Sequence, residues 1–232
     1  MIKAIAFIRR KPGLPRAEFK RHYEEIHAPL AIKYLSFARY VRNHVNDTPP
    51  LPPPDFDVVS EFWYADMDQL QATQNFLTSE DYKIIAADEE TFMDREKTTA
   101  FMVEEVPSKL GTDRSGSVKF IALLKRKKGL SLADFRSHYE GVHVPLILRI
   151  STGIVGYCRN YTVAIEGMPE PPFDSFTEIW YRDLDAFKKT IAFWGTDAGK
   201  VIRDDEDSFL DRSKIVAFLA DECISDLSRQ RR

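Results

Sequence analysis

Hydrophobic positions in the first quarter of the chain predict a strand followed by a helix. A short apolar run at 2–8 predicts a buried strand. From 16 to 26 the spacing becomes helical, with an apolar stripe at i, i+4, i+7 and i+11 that we expect to face the core: Phe19, Tyr23, Ile26 and Leu30. Because Pro29 disfavours helical backbone at the residue before it, the helix should end or kink at His27. A second short helical piece is then expected over 30–35.

Residues 39–106 extend this pattern to β-α-β-β-α-β. Residues 39–45, 57–64 and 98–106 each predict a strand. Asp66 is a predicted N-cap of a second helix, and the polar region 78–94 is expected to hold another short one. Residues 47–54 contain five prolines, which cannot pair as a strand, so this segment is predicted to be an exposed loop or lid.

The same pattern of residues then occurs a second time. An offset of 116 aligns Lys3 with Lys119 and Phe19 with Phe135, and after a one-residue insertion the offset becomes 117 and aligns Asp94 with Asp211. The match runs through both halves, which indicates a tandem duplication. We predict one unit over 1–107, a linker over 108–116, a second unit over 117–225 and a tail over 226–232.

Two strand–helix–strand halves per unit predict the α+β class and a four-stranded antiparallel sheet with helices on one face, the ferredoxin-like plait. The other face would be an exposed apolar patch unless it is covered. The matching face of the other repeat is the simplest cover. We therefore expect the two sheets to pack into an intramolecular α+β barrel, in a monomer that resembles a dimer or in a homodimer of the tandem chain.

Composition argues against several classes of partner. The formal net charge of -3 provides no basic excess for phosphates, so we expect no nucleic-acid binding. No apolar run approaches membrane-spanning length, and the charges Arg9 and Arg10 follow the first apolar run, the wrong order for a signal peptide. With only Cys158 and Cys223, in no metal or redox spacing, a cytoplasmic location is expected and no membrane partner.

Several motifs in fixed order resemble the EthD family of dimeric α+β barrels, in both halves of the chain. In the first half they are Arg10-Lys11-Pro12-Gly13-Leu14, Phe19, His27-x-Pro29-Leu30 and Arg39-Tyr40-Val41-x-Asn43-His44. The resemblance implies the plait, the barrel and small, partly apolar pockets between sheet and helices. Characterised members include cofactor-free decarboxylases, cyclases or dehydratases of aromatic polyketides, muconolactone isomerases, and accessory proteins of ether degradation.

Histidines are the first candidates for chemistry, because they exchange protons near neutral pH. On a helical wheel at about 100° per residue, His27 lies about 80° from Phe19 and His22 about 60° on the other side, at the edges of the apolar stripe. The resemblance implies that His27 and His44 form an acid/base pair. The second half has His143 but Tyr161 opposite it, so the two pockets should differ. The structural alternatives are a capping His27, a solvent-facing His22 and an exposed His44.

Strand alternation places further candidates. Tyr40, Arg42 and His44 share one face. On the next predicted strand, Asp57, Glu61 and Trp63 share one face, as Glu178 and Trp180 do in the second half. A carboxylate beside an indole would have a raised pKa and could act as an acid. A sheet-edge ion pair with Arg42, and a Trp that belongs to the core, are the structural alternatives.

We expect no metal and no cofactor. His22 and His27 are five residues apart, whereas two ligands on one helix face are three or four apart. We find no phosphate loop or nucleophile motif in the sequence.

These observations predict a cofactor-independent lyase or isomerase acting on a small aromatic, lactone or polyketide-like molecule. The predicted catalytic residues are His27, His44 and Glu61. The predicted substrate-binding residues are His22, Tyr40, Arg42, Trp63, His143, Tyr161 and Glu178. Loop 47–54 would border the entrance. The alternatives are a binding or accessory protein without turnover, and a cofactor-free monooxygenase.

Overall fold

The chain divides into two compact units of helices and antiparallel strands, which confirms the α+β part of the predicted fold class. The computed structural model describes residues 1–46, 51–111, 113–165 and 170–228. Unit 1 consists of Met1–Asn46, Pro53–Glu104 and Asp221–Arg232, and unit 2 of Asp47–Pro52 and Glu105–Ala220. No helix in these ranges is sufficiently long and apolar to cross a membrane.

Unit 1 is built on an antiparallel sheet in the order β4-β1-β3-β2. Its elements are β1 (Ile2–Ile8), α1 (Arg16–His22), α2 (Ala28–Tyr34), β2 (Arg39–Asn46), β3 (Val58–Tyr64), α3 (Met67–Leu77), α4 (Lys83–Phe92) and β4 (Thr99–Pro107), whose last residues belong to unit 2. The predicted strands are all found within two residues of their expected bounds. The predicted N-cap is also confirmed, because the Asp66 carboxylate accepts the backbone N–H of Gln69.

Unit 2 repeats this order, with the sheet β8-β5-β7-β6. Its elements are β5 (Val118–Leu124), α5 (Leu132–His138), α6 (Val144–Ile150), β6 (Ile154–Thr162), β7 (Ser175–Tyr181), α7 (Leu184–Trp194), α8 (Lys200–Phe209) and β8 (Val216–Ile224), whose last residues belong to unit 1. Of the predicted proline-rich loop, residues 47–50 lie outside the described part of the chain, as does Thr112 of the predicted linker.

The helices of each unit cover one face of its sheet. In unit 1, Phe19, Tyr23 and Phe92 of the helices pack against Tyr40 and Val58 of the strands. All five side chains are at most 1% exposed, and burying each large apolar side chain stabilises the fold by about 1.5–3 kcal/mol. The core therefore fixes the helix that carries His22 and His27 over the sheet.

Of the two outcomes predicted from Pro29, an end or a kink at His27, the first is not found. The helix runs from 16 to 34 and contains a π-helical turn, Tyr23–His27, in which the N–H of Ala28 bonds to the carbonyl of Tyr23, five residues back. A π-turn inserts one residue into an α-helix. Unit 2 has the same turn at Tyr139–His143.

The π-turn also corrects the predicted apolar stripe. Ile26 is 47% exposed, whereas His27 is only 6% exposed. The predicted stripe assumes a regular α-helix, in which position i+7 from Phe19 faces the core. The extra residue of the π-turn rotates the following positions, so that His27 takes the buried place and Ile26 turns to solvent.

The π-turn makes a testable prediction about stability. Ile26→Glu should change the free energy of unfolding by less than about 0.5 kcal/mol, because an exposed position loses few contacts. Phe19→Ala, on the same helix, should cost about 3–5 kcal/mol. Urea denaturation of both variants provides the measurement. A loss of several kcal/mol in Ile26→Glu would mean that Ile26 faces the core, as a regular α-helix requires.

Candidate functional site

One carboxylate bridges the two histidines of the π-containing helix in each unit. In unit 1, Asp88 on α4 binds His22 Nε2 at 2.7 Å and His27 Nδ1 at 2.8 Å. In unit 2, Asp205 on α8 binds His138 Nε2 at 2.8 Å and His143 Nδ1 at 2.7 Å. Residues five apart share a face in a π-turn, which is why both rings reach the same aspartate.

The charge of this carboxylate fixes the histidine tautomer. Burial alone would raise the pKa of Asp205, but hydrogen bonds from His143 and His138 outweigh burial and hold the pKa below its ordinary value. An ionised carboxylate can only accept hydrogen bonds. His143 Nδ1 must therefore carry the proton, and in the neutral ring Nε2 is left as a base.

A second carboxylate, on the same helix, collects Arg42 and His44 from β2. Glu24 accepts from His44 Nε2 at 2.6 Å and from Arg42 Nη2 at 2.5 Å. Burial alone would raise the pKa of Glu24, but these two partners lower it to about 2. In unit 2, Glu140 accepts from Arg159 Nε at 2.9 Å and from Tyr161 Oη at 2.6 Å. His44 and Tyr161 thus make the same kind of bond.

The residues predicted as catalytic are not brought together in unit 1. His27 and His44 both contact the ring of Tyr23, at 4.9 and 5.6 Å between centroids, yet each bonds to a different carboxylate. Glu61 pairs with Val41 in the sheet register and not with a residue on the face of His44. It lies on the sheet face opposite the helices.

That opposite face carries an ion pair in each unit. Lys3 lies 2.6 Å from Glu61, and its ammonium is 4.2 Å from the centre of the Trp63 ring. In unit 2, Lys119 lies 2.6 Å from Glu178 in the same way. Both carboxylates also accept an amide N–H, from Asn43 and Asn160. Buried charges that are paired and hydrogen-bonded in this way have a structural explanation.

Unit 2 contains a cavity of about 350 Å³ between the helices and the sheet, and His143 lines it. Its walls are mostly apolar, which suits a small organic molecule. The apolar lining residues are Leu51, Phe120, Ala122, Leu124, Ile147, Ile179, Ile191, Trp194, Leu210, Ile215 and Ala217. The polar ones are Tyr139, His143, Tyr157, Thr177, Glu206 and Arg212.

The hydroxyl groups of the cavity form a chain. Tyr157 Oη donates to Tyr139 Oη at 3.2 Å, and Tyr139 Oη lies 2.8 Å from Thr177 Oγ1. Burial raises the pKa of Tyr139 to about 12, so this hydroxyl stays protonated at neutral pH. Tyr40 makes the matching bond to Tyr23 in unit 1, also at 3.2 Å.

Glu206 gives the cavity a second group that can hold a proton. Burial raises the pKa of Glu206, against the opposing pull of His143 and Arg212. Arg212 Nε lies 3.3 Å from its carboxylate. In unit 1 the matching Glu89 has an additional partner, because Tyr82 donates to it at 2.7 Å. Unit 2 has Gly199 at the position of Tyr82, so this hydroxyl is missing and Glu206 faces the cavity.

The unit 1 residues that match the cavity lining include larger side chains. Phe62 stands where unit 2 has Ile179, and its ring stacks on Tyr40 with 5.0 Å between centroids. Other matching positions carry the smaller side chain in unit 1, since the sheet pairs Phe62 with Ala4 where unit 2 pairs Ile179 with Phe120. The repeated histidine–aspartate bonds thus occur in both units, whereas the cavity walls differ between them.

Sequence reasoning missed the acidic partners, Asp88 and Asp205, and the cavity residue Glu206. Asp88 lies in the polar stretch 78–94, for which only a short helix was predicted, and Asp205 and Glu206 lie in the matching stretch of the second half. A signal was present, because the offset of 117 aligns Asp88 with Asp205 and Glu89 with Glu206. Identical carboxylates repeated beside a repeated histidine pair indicate a shared hydrogen-bond network.

Within the described part of the chain, two groups bring potential metal ligands within 4.8 Å of one another. They are Glu24 with His44 and Cys223, and Glu105 with Cys158 and Glu178. Both groups contain a carboxylate that already has a cation, Arg42 on Glu24 and Lys119 on Glu178. Burial also raises the pKa of the Cys223 thiol, which disfavours the thiolate that a metal needs. A metal would have to displace these partners.

The raised pKa of Glu206 predicts how stability changes with pH. A folded-state pKa above the unfolded value means that protonation favours the fold; this contribution is complete below the ordinary pKa of 4.5 and is lost as the pH rises through the folded-state value. Glu206→Gln stays neutral, so its stability relative to the wild type should increase from pH 4 to pH 7.5. Urea denaturation at both pH values measures the change.

The repeat supplies the matched control. Glu89→Gln removes the charged acceptor of Tyr82 and Arg95, and should destabilise the protein by about 1.5 kcal/mol at pH 7.5. A Glu206→Gln variant that loses stability at pH 7.5 as Glu89→Gln does would contradict a carboxyl group whose ionised form is disfavoured by burial.

Comparisons with solved structures show the fold. An anthrone oxidase-like protein has a TM-score of 0.64 at 8% identity, covering 99% of this chain and 94% of the other. A proposed monooxygenase from Fusobacterium nucleatum subsp. nucleatum ATCC 25586 has a TM-score of 0.58 at 9% identity, covering 97% and 94%. A proposed monooxygenase from Lactobacillus acidophilus NCFM has a TM-score of 0.55 at 10% identity, covering 97% and 96%.

A comparison with curated protein sequences finds no match. The EthD domain model, by contrast, matches residues 11–96 and 127–213, one segment in each repeat. Both segments contain the π-turn and the histidine–aspartate bonds described above. The chain therefore belongs to the EthD-domain family and carries two EthD domains in tandem.

Proposed function

We propose that this protein is a cofactor-independent enzyme that removes a proton from a small aromatic substrate in the cavity of unit 2. One observation carries the proposal: the ring of His143 is held through Nδ1 by an ionised aspartate and lines a mostly apolar cavity. Its other nitrogen is then a base with a fixed orientation. General base catalysis needs this combination of position and protonation state.

The cavity favours a substrate that is mostly apolar. Isoleucine, leucine, phenylalanine, alanine and tryptophan side chains form most of its wall, and few polar groups are available to set the orientation. A volume of about 350 Å³ is at the small end of ligand sites, so two or three fused rings are the expected size. An apolar wall also excludes water, which protects a carbanion once it has formed.

Glu206 is proposed as the acid of the site. Its raised pKa keeps the carboxyl group protonated to higher pH than usual, and it lines the same cavity as His143. A neighbouring base and acid can move a proton out of one position of a substrate and deliver a proton to another.

Of the possible reactions, oxidation by molecular oxygen receives the most support. The similar structures include two proposed monooxygenases and an anthrone oxidase-like protein, which agrees with this reaction better than with a lyase or an isomerase. An electron-rich carbanion can itself reduce oxygen, so the reaction needs no cofactor. We take anthrone, which has an acidic CH₂ group, as the probe substrate.

The oxidation of anthrone balances without a further reagent. His143 takes one proton from the CH₂ group, and the carbanion transfers electrons to O₂ and forms a C–O bond, giving a peroxide anion that takes the proton back from His143 and becomes a hydroperoxide. His143, neutral again, removes the second C–H proton, whose electron pair forms the C=O bond as the O–O bond breaks. Glu206 protonates the leaving hydroxide, and the proton then held by His143 restores Glu206. One O₂ thus converts the CH₂ group into a carbonyl group and one water molecule.

A second candidate is the same proton transfer without oxygen: decarboxylation, dehydration with cyclisation, or isomerisation. The paired base and acid in the cavity favour it equally, because these reactions also begin at a C–H or O–H group. A third candidate is a binding or accessory role without turnover. Oxygen uptake separates the first candidate from the other two.

The architecture around the site is proposed as well. The order β-α-β-β-α-β and the sheet order in each unit support two ferredoxin-like units, over 1–107 and 117–225. We propose a cytoplasmic monomer or homodimer that acts on a small molecule.

The experiment measures oxygen uptake and anthraquinone formation with anthrone, for the wild type and two variants. Heat-denatured protein provides the rate of spontaneous oxidation. His143→Asn keeps an N–H toward Asp205 but removes the base, so the rate should fall by about 10²–10⁴-fold. His27→Asn makes the same change in unit 1 and should keep most of the activity.

Each other outcome has a defined meaning. Turnover by His143→Asn at the wild-type rate contradicts the proposal. Equal losses in His143→Asn and His27→Asn would contradict a single active cavity in unit 2. Wild-type protein that binds anthrone but leaves oxygen uptake at the background rate would favour the binding role.

A further inference from the structure

A second cavity, of about 320 Å³, lies in unit 1 where β1 leads into α1, and we call it the basic pocket. Charged side chains form most of its lining, in contrast to the apolar cavity of unit 2. The cations are Arg9, Arg10, Lys11, Arg16 and Lys97, and the carboxylates are Asp55, Asp57 and Asp94. The described lining residues thus carry five positive and three negative charges, an excess of two positive charges.

Two guanidinium groups of the basic pocket share one buried carboxylate. Arg10 binds Asp57 Oδ1 through Nη1, and its backbone N–H donates to Asp57 Oδ2 at 2.8 Å. Arg16 Nε lies 3.0 Å from the same Oδ1 atom. Asp57 is buried, so water and salt screen these charges only weakly. One carboxylate therefore faces two cations at short range, and a further anion beside them would offset their mutual repulsion.

The other carboxylates of the basic pocket have cations of their own. Asp55 pairs with Arg9, and Asp94 lies 3.6 Å from Lys97. Lys11 Nζ donates to a backbone carbonyl group at 2.9 Å, which is an uncharged acceptor. Among the described lining residues, the excess positive charge thus comes from Lys11 and from the two arginines that share a carboxylate.

Unit 2 has a further carboxylate at the matching place. Arg126 is the counterpart of Arg10. Its Nη1 atom binds Asp174, and its Nη2 atom donates to Glu170 at 2.8 Å. Lys125 Nζ lies 3.2 Å from the same carboxylate of Glu170 and 3.4 Å from Asp174. Two cations therefore meet two carboxylates in unit 2.

Substitutions between the repeats remove this balance from unit 1. Pro53 stands at the position of Glu170, so the carboxylate that binds the matching arginine in unit 2 is absent. Arg16 stands at the position of Leu132, so a cation is added. The one carboxylate that unit 1 gains, Asp55, is already paired with another arginine. Unit 1 thus combines an open, polar pocket with cations whose counterparts bind an anion in unit 2.

We propose that the basic pocket binds a small dicarboxylate, with one carboxylate group beside Arg10 as Glu170 lies beside Arg126. Two negative charges match the excess of two positive charges in the lining. Guanidinium groups bind a planar carboxylate through two parallel hydrogen bonds, which favours this class of anion. A volume of about 320 Å³ is at the small end of ligand sites and suits an acid of about four to six carbon atoms.

The inference does not depend on the proposed function. All residues that line the basic pocket belong to unit 1, whereas His143 and its cavity belong to unit 2. Failure of dicarboxylate binding would therefore leave the proposed proton abstraction by His143 unaffected.

The test is isothermal titration calorimetry with succinate at pH 7.5 and low ionic strength, where screening is weak. Arg16→Leu introduces the residue of unit 2 and removes one of the paired cations, so the affinity should fall about tenfold. Lys128→Leu is the matched control, because it removes one positive charge from an exposed position outside the pocket. It should bind succinate as the wild type does.

A second variant tests the same site with every cation in place. Pro53→Glu provides the carboxylate that unit 2 has at this position, so it should compete with succinate and also weaken binding about tenfold. Circular dichroism shows whether each variant is folded. If Arg16→Leu does not fold, Pro53→Glu decides the question.

Four results would overturn the inference. The wild type might not bind succinate, or Lys128→Leu might lose as much affinity as Arg16→Leu, which would mean that only the net charge matters. Unchanged affinity in folded Arg16→Leu or in Pro53→Glu would place any bound succinate elsewhere. Tighter binding of inorganic phosphate than of succinate would contradict a carboxylate site.

Discussion

The interaction on which the site depends is the bond between one buried carboxylate and two histidines of the same helix. In a regular α-helix, residues five apart are separated by about 140° around the axis and could not reach one carboxylate. The π-turn removes this separation and turns His143 toward Asp205. An ionised aspartate then leaves only one neutral tautomer available to His143, with Nε2 as the base.

Duplication repeated this bond, and divergence changed what surrounds it. Both units keep the aspartate, the two histidines and the tyrosine pair at the sheet. Unit 2 differs in the side chains around His143, with Ile179 for Phe62 and Phe120 for Ala4, and a cavity lies beside the ring. His44 and Tyr161 are the conspicuous difference between the two halves of the sequence. Their structural roles are similar, because each donates to the glutamate at the matching position of its own unit.

Local signals made much of the fold predictable. Strands were visible as short apolar runs, Asp66 as a helix cap, and the repeat as aligned residues, because each of these signals can be read directly from the sequence.

The π-turn was not predictable in this way. Its extra residue is stabilised by contacts with α4 and the sheet, and it exchanged the expected places of Ile26 and His27. Asp205 binds His143 from 62 residues away, and periodicity within a helix carries no information about such a partner. The cavity is lined by side chains from several strands and helices, a combination that the pattern of hydrophobic residues along one element does not reveal.

The most direct test of the account is the tautomer of His143. The chain has five histidines, and long-range ¹H–¹⁵N NMR spectra distinguish the two neutral tautomers of each ring; the spectrum of His143→Asn assigns the signal of interest. At a pH where the ring is neutral, the account predicts a proton on Nδ1 and an unprotonated Nε2. A proton on Nε2 would contradict it, because the nitrogen proposed as the base would then be a donor.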